Sequence, residues 1–155
     1  MNCLRERDED CYRLSSMQAR LFAKSAEADY PSFYFIKVFM HSPSAKSLDN
    51  LLYLYSGSSE LEIFVEIEGR LTKKEGGTVY PEDVMHWIGY FYRSAAYLLK
   101  RTSPELFRAI PPSYLNKTYQ AYHGLDIEAA IDRVFADLGV TFLTPQERFR
   151  QLYRR

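Results

Sequence analysis

The side chains best suited to chemistry lie on one predicted helix. His86, Tyr90 and Arg93 follow each other at i, i+4 and i+7, which places them on one face of an α-helix. An imidazole, a phenol and a guanidinium on one face could bind an anion or line a polar cleft. Alternatively, Arg93 is buried and pairs with Asp49 or Glu66, because burying a guanidinium without a partner is very costly. In a third interpretation, the stripe simply faces water.

Gly89 lies four residues before Arg93, inside the same predicted helix. Glycine in a helix interior costs about 1 kcal/mol relative to alanine, so we expect its small size to be needed. Close packing of another helix is the interpretation that we favour. The alternative is that the backbone of a ligand or partner approaches at this point.

A second polar cluster is the sequence YQAYH, residues 119–123. Tyr119, Tyr122 and His123 could line the same cleft as His86, but we favour the alternative that these rings pack on the central helix. The three histidines lack the HExxH spacing of a zinc site, so we expect neither a metal nor a cofactor. GxSxG and SxxK motifs are also missing, and we predict no catalytic residues.

The charge balance argues against a nucleic-acid-binding protein. Lys plus Arg number 20, and Asp plus Glu also number 20, whereas nucleic-acid-binding modules usually carry a basic excess. Four arginines near the end of the chain form the one basic stretch, and we expect them to be solvated rather than phosphate-binding. They are Arg148, Arg150, Arg154 and Arg155.

Other features of the sequence predict a soluble, cytoplasmic protein. Cys3 and Cys11 show neither CxxC nor metal-binding spacing, which is typical of thiols in a reducing cytosol. The chain begins with the charged stretch MNCLRERDEDC, which lacks the apolar core of a signal peptide. No run of 18 apolar residues occurs, so no transmembrane helix is expected.

The spacing of apolar residues predicts helices along the chain. Residues 9–28 show an amphipathic pattern, and residues 82–101 are apolar nearly all round, as in a central helix. Residues 33–40 also fit a helix, with a strand as the alternative because this segment is rich in aromatic residues. We predict an all-α fold, an irregular bundle of about seven helices around the helix at 82–101, in one domain spanning residues 1–155.

Capping residues predict several helix boundaries. Ser59 with Glu62 forms a capping box, Ser103-Pro104-Glu105 begins a short helix, and Asp126 begins an amphipathic one. Thr144-Pro145 begins a last helix. The buried stripe expected after Ser59 consists of Leu61, Phe64, Val65 and Leu71.

Three segments together resemble a family of small bacterial proteins. They read FIKVFMHSPSAKSLDN (35–50), TVYPEDVMHWIGYFYR (78–93) and YQAYHGLDIEAAIDR (119–133). One departure is SAAYLLK after Arg93, where the family is more aromatic. The resemblance implies an association with toxin–antitoxin or phage-defence modules rather than an activity. The motif positions that it marks as candidates are Lys46, Asp49, His86, Trp87, Tyr90, Arg93, Tyr122, His123 and Asp126.

The function predicted on these grounds is non-enzymatic binding of a protein partner. The resemblance implies an antitoxin-like or immunity-like component whose partner is a cognate toxin or effector. The aromatic share of 15% suits an interface, because aromatic residues and arginine are enriched there. The candidate ligand- or partner-binding residues are Lys46, Asp49, His86, Tyr90, Arg93, Tyr122 and His123. The alternative is a small enzyme or a nucleotide- or anion-sensing protein that uses the His86–Tyr90–Arg93 stripe.

Overall fold

The predicted all-α class is confirmed. The structure, a computed structural model, describes residues 2–50, 59–71, 76–142, 146 and 150, with side chains from residue 9 onward. Within these ranges it has eight helices and no strand. They are α1 (Asn2–Glu27), α2 (Ser32–Met40), α3 (Pro43–Asp49), α4 (Glu60–Arg70), α5 (Glu82–Leu99), α6 (Ser103–Ala109), α7 (Pro112–Tyr122) and α8 (Ile127–Leu138).

The helix α5 is the centre of the bundle, as its apolar circumference predicts. Eleven of its 18 residues are buried, and α1 packs along it more extensively than any other described helix does. The contacts of Gln18 with Gly89 and of Ser15 with Ser94 show that α1 and α5 run antiparallel. The helix ends where Lys100 adopts a left-handed conformation with φ of 53°.

The expectation of close helix packing at Gly89 is confirmed. A Cβ atom on Gly89 would lie 2.7 Å from the Gln18 carbonyl oxygen and 3.0 Å from the Ala19 Cα. Both are backbone atoms of α1, which a side-chain rotation cannot move. The missing Cβ therefore sets how closely α1 approaches α5.

An aromatic cluster joins α1, α2 and α4. The ring of Phe22 lies edge-on to Phe35 and Phe39, with centroids 5.6 and 5.2 Å apart, and Phe64 packs on Phe35 at 6.2 Å. The segment at 33–40 is thus the predicted helix rather than a strand. Its aromatic residues are needed because one face of α2 packs into this cluster.

The buried stripe predicted for α4 is partly wrong. Phe64 is buried as expected, and Leu71 is partly buried. However, Leu61 and Val65 are 60% and 57% exposed. The side of α4 that contacts α1 and α2 instead carries Ile63, Phe64 and Ile67.

Two predicted caps also need correction. The helix α6 begins one residue earlier than expected, because the Thr102 side chain accepts the hydrogen bond from the Glu105 amide. Ser103 is thereby released to point into the interior. Asp126 holds the N-cap position of α8 but makes no side-chain capping bond. The cap at Ser59 is confirmed, since its hydroxyl accepts from the Glu62 amide at 3.2 Å.

Some predictions lie outside the described residues. They include the helix beginning at Thr144-Pro145, the basic character of the chain end at Arg148, Arg154 and Arg155, and the thiol of Cys3. Among the helices that the structure does describe, none is both long and apolar enough to cross a bilayer.

Candidate functional site

Arg93 is the most completely buried charged side chain among the described residues, with 0% of its surface exposed. Each of its three guanidinium nitrogens has a partner. The Nε donates to Gln18 Oε1 at 2.8 Å, and Nη2 donates to Ser103 Oγ at 3.0 Å. The Nη1 donates to Asp49 Oδ1 at 2.6 Å. These four residues are called the arginine network below.

The carboxylate of Asp49 completes the arginine network. Besides Arg93, it accepts the amide of Ser103 at 2.8 Å and the hydroxyl of Ser103 at 2.7 Å. Its side chain is only 6% exposed. Burial lowers the pKa of Arg93, and the charge of Asp49 opposes this effect. Because every charge in the network is neutralised and hydrogen-bonded, its burial is tolerable.

The arginine network ties four helices together. Gln18 lies on α1, Asp49 on α3, Arg93 on α5 and Ser103 on α6. Of the alternatives for Arg93, the structure therefore shows the buried ion pair with Asp49. Glu66 has other partners, the Ser44 hydroxyl at 2.8 Å and Arg70.

The structure does not assemble His86, Tyr90 and Arg93 into one site. His86 is exposed and Tyr90 is half-buried, whereas Arg93 is fully enclosed. His86, Tyr90 and Arg93 lie on the same side of α5 but on successive turns, and different helices pack against each turn. The side chains of α1, α3 and α6 enclose Arg93, and α7 lies beside the first half of α5 instead.

Predicted residues of two helices do meet in a pocket at the first half of α5. His86, Trp87 and Tyr90 line it from α5, and Tyr119 and His123 line it from the end of α7. Its volume is about 280 Å³. We call it the aromatic pocket, and its lining residues are Asp83, His86, Trp87, Tyr90, Tyr119 and His123.

Ring contacts fix the walls of the aromatic pocket. Tyr119 stacks on His123 with centroids 4.2 Å apart and lies edge-on to Trp87 at 5.8 Å. A ring nitrogen of His123 lies 2.7 Å from the Tyr119 carbonyl oxygen, which orients the imidazole. The Trp87 and Tyr119 side chains are each 9% exposed. These two buried rings therefore lie at the bottom of the pocket, whereas the exposed side chains of His86 and His123 lie at its edge.

Among the residues that the structure describes, Asp83 supplies the one carboxylate that lines the aromatic pocket. Its Oδ2 accepts the hydroxyl of Tyr119 at 3.3 Å, and its Oδ1 accepts the Val84 amide at 2.9 Å. Burial, with a contribution from Asp83, raises the pKa of Tyr119. Burial is also the main reason that the pKa of Tyr90 is raised. Both phenols are therefore neutral around pH 7.

The remaining predicted residues lie elsewhere. Lys46 is exposed on α3, beside a separate hollow. Tyr122 turns away from the pocket, because its hydroxyl donates to Asp137, as does the hydroxyl of Tyr114 at 2.7 Å. Within the described ranges, no group of three His, Cys, Asp or Glu side chains is arranged to hold a metal ion.

Sequence reasoning missed three contributors to these sites. Gln18 occupies a buried position between Met17 and Leu21 of α1, and a polar residue there could have indicated an internal partner. The sequence predicts Ser103 as a cap, which gives no sign of an internal partner. Asp83 lies in the acidic first turn of α5, where a carboxylate is expected, and nothing in the sequence indicates that it meets Tyr119.

The aromatic pocket offers ring surfaces, two imidazoles and a carboxylate. The described part of the chain contributes no serine, threonine or cysteine nucleophile to its lining. Ring faces and a carboxylate can bind a group by stacking and hydrogen bonding, and the two imidazoles can transfer protons.

Comparison with known proteins gave no match. No family model fits the sequence, and neither a curated protein nor a solved structure is similar enough to it to count as a match.

Proposed function

We propose that this chain is a non-enzymatic protein-binding component, with an antitoxin-like or immunity-like role toward a cognate toxin or effector. The observation that carries the proposal is the aromatic pocket. Concave sites lined by tryptophan and tyrosine hold the residues that dominate binding energy at protein interfaces. The antitoxin-like role itself rests on the resemblance of the three sequence segments.

An exposed ring extends the aromatic pocket into a larger surface. Tyr12 of α1 is 64% exposed and lies edge-on to Tyr90, with centroids 6.4 Å apart. Tyrosine is among the residues enriched at protein interfaces relative to the rest of a protein surface. The proposed binding face therefore combines Tyr12 with the pocket residues.

The alternative of an enzyme or anion sensor is not favoured. That function needs the guanidinium of Arg93 at a ligand, whereas the arginine network uses all three of its nitrogens. The residues that are left, His86 and Tyr90, supply no fixed positive charge.

Co-expression with the products of neighbouring genes, followed by size-exclusion chromatography and calorimetry, tests the proposal. We expect a stable complex with one of them. Replacing two exposed groups of the face, Tyr12→Ala with His86→Ala, should weaken it at least ten-fold, which corresponds to about 1.4 kcal/mol.

Phe33→Ala provides the matched control. Phe33 is also an exposed ring, 52% accessible, but it lies on α2 against Phe107 and outside the aromatic pocket. Its removal should leave the affinity unchanged. The absence of any complex, or equal losses in the control and the double variant, would contradict the proposal.

A further inference from the structure

We infer that the aromatic pocket binds an organic cation, and specifically the basic side chain of a lysine or arginine presented by the partner protein. This inference rests on the proposed function, because it names the group that a protein partner would insert.

The charge of the aromatic pocket favours a cation. The described residues that line it include Asp83 but no lysine or arginine. Outside the lining, the negative charge of Asp126 is the smallest of the factors that raise the pKa of Tyr90, after burial, Cys11 and Tyr12. The Asp126 side chain is exposed and makes no capping bond in α8. An incoming positive charge therefore meets the carboxylate of Asp83, and the charge of Asp126 adds to the negative potential around Tyr90.

The rings add a second attraction. The faces of tryptophan and tyrosine carry negative electrostatic potential, and a cation within about 6 Å of a ring centroid is stabilised. The aromatic pocket places Trp87, Tyr90 and Tyr119 around one small space. Several rings around one space are the usual recognition site for quaternary ammonium groups, and a lysine or arginine over a ring face is attracted in the same way.

Asp83 is positioned to orient such a group. The Tyr119 hydroxyl and the Val84 amide each donate to one of its oxygens, so the carboxylate is held in place. A carboxylate accepts about four hydrogen bonds. Capacity therefore remains on both oxygens for an ammonium or guanidinium donor.

The size of the aromatic pocket selects a side chain over a larger ligand. At about 280 Å³, it falls just below the range of roughly 300–1,000 Å³ usual for small-molecule and cofactor sites. A nucleotide would also bring negative phosphates toward Asp83. A single basic side chain fits both the volume and the charge.

Trp87 makes a direct test practicable, because it is the only tryptophan of the chain. Its indole resonance and its fluorescence both report on the pocket. The probes are lysine and arginine capped as N-acetyl methylamides, titrated at constant ionic strength. The matched neutral probe is the same capped lysine with its ε-amine acetylated. We expect saturable changes with the two cations and none with the neutral probe.

Variants assign the response to the aromatic pocket. Asp83→Asn should weaken binding of the capped lysine about five-fold, and Tyr90→Leu should also weaken it. Asp132→Asn is the control, because Asp132 is an exposed carboxylate of α8 outside the pocket and its loss changes the net charge equally. Circular dichroism and thermal melting confirm that each variant folds.

The outcomes separate this inference from the proposed function. Equal responses to acetylated and free lysine, or equal losses in Asp83→Asn and Asp132→Asn, would overturn the cation site. If Asp83→Asn leaves the affinity of the protein complex unchanged, the cation site is overturned as well, while the proposed function stands. Conversely, specific binding of capped lysine by a chain that forms no protein complex would support the cation site and refute the proposed function.

Discussion

The two halves of helix α5 hold polar groups in opposite ways. In the second half, Arg93 is enclosed, and every nitrogen of its guanidinium is bonded to α1, α3 or α6. In the first half, Asp83, His86 and Tyr90 surround a space that other helices leave open. One helix therefore carries both a polar group that serves the fold and a polar group that remains available for binding.

The difference shows that polarity alone does not mark a functional residue. Arg93 is the most conspicuous polar residue on α5, yet its partners within the chain account for it. Asp83 is inconspicuous on the acidic first turn, yet its carboxylate retains capacity for another donor. The role of a polar group therefore depends on whether neighbouring helices supply all of its hydrogen-bond partners.

Asp49→Ala should have the largest effect. It leaves the charge of Arg93 buried without its anionic partner, which typically costs about 3–5 kcal/mol. Urea denaturation measures the change in the free energy of unfolding. Lys46→Ala, at an exposed position of the same helix α3, should change it by less than about 0.5 kcal/mol. A small loss for Asp49→Ala would mean that water reaches Arg93, and the contrast between the halves of α5 would fail.

Gly89→Ala should come next, because it separates α1 from α5 beside the arginine network. The new Cβ would meet backbone atoms of α1 at 2.7 to 3.0 Å, and such overpacking costs about 1–3 kcal/mol. Gly69→Ala is a matched control inside α4, where a Cβ meets nothing within 4 Å. It should stabilise the protein by up to about 1 kcal/mol. Melting temperatures that shift in the same direction for both variants would contradict the close packing of α1 against Gly89.

Much of the fold could be predicted from the sequence, because helix periodicity and caps act over a few residues. The class, the central position of α5 and the packing at Gly89 all follow from such local signals. The error on Leu61 and Val65 has a different origin: the apolar pattern of α4 allows two overlapping stripes, and only the position of α1 and α2 selects Ile63 and Ile67.

The candidate site was less predictable, because it depends on which helices become neighbours. Spacing correctly placed His86, Tyr90 and Arg93 on one side of α5, but it gave no information on what covers each turn. Likewise, Tyr122 and His123 are adjacent in sequence, yet one bonds Asp137 and the other lines the aromatic pocket. Such outcomes depend on contacts between residues far apart in the chain.

Two tyrosines of α5 show the same contrast between a buried hydroxyl that has a hydrogen-bond partner and one that has none in the described part of the chain. The Tyr92 hydroxyl donates to the Ile110 carbonyl in the interior, so Tyr92→Phe should cost about 1–2 kcal/mol. The Tyr97 hydroxyl is buried and has no hydrogen-bond partner in the part of the chain that the structure describes. Tyr97→Phe should therefore be neutral or slightly stabilising. Chemical denaturation of both variants measures this, and a large loss for Tyr97→Phe would reveal a missing partner.

The smallest effect concerns Asp137, an exposed counterpart of Asp49. Hydrogen bonds from the Tyr122 and Tyr114 hydroxyls lower its pKa below the usual 3.8. A lowered pKa stabilises the folded state above pH 3.8, and this contribution disappears as the pH falls through the lowered value. The wild type should therefore lose slightly more stability between pH 6 and pH 3 than a Tyr114→Phe/Tyr122→Phe variant, as measured by urea denaturation at both pH values. Because solvent screens an exposed carboxylate, the difference should be far smaller than the loss caused by Asp49→Ala. An identical pH dependence in the two proteins would show that hydrogen bonds to a carboxylate stabilise this fold only where the group is buried.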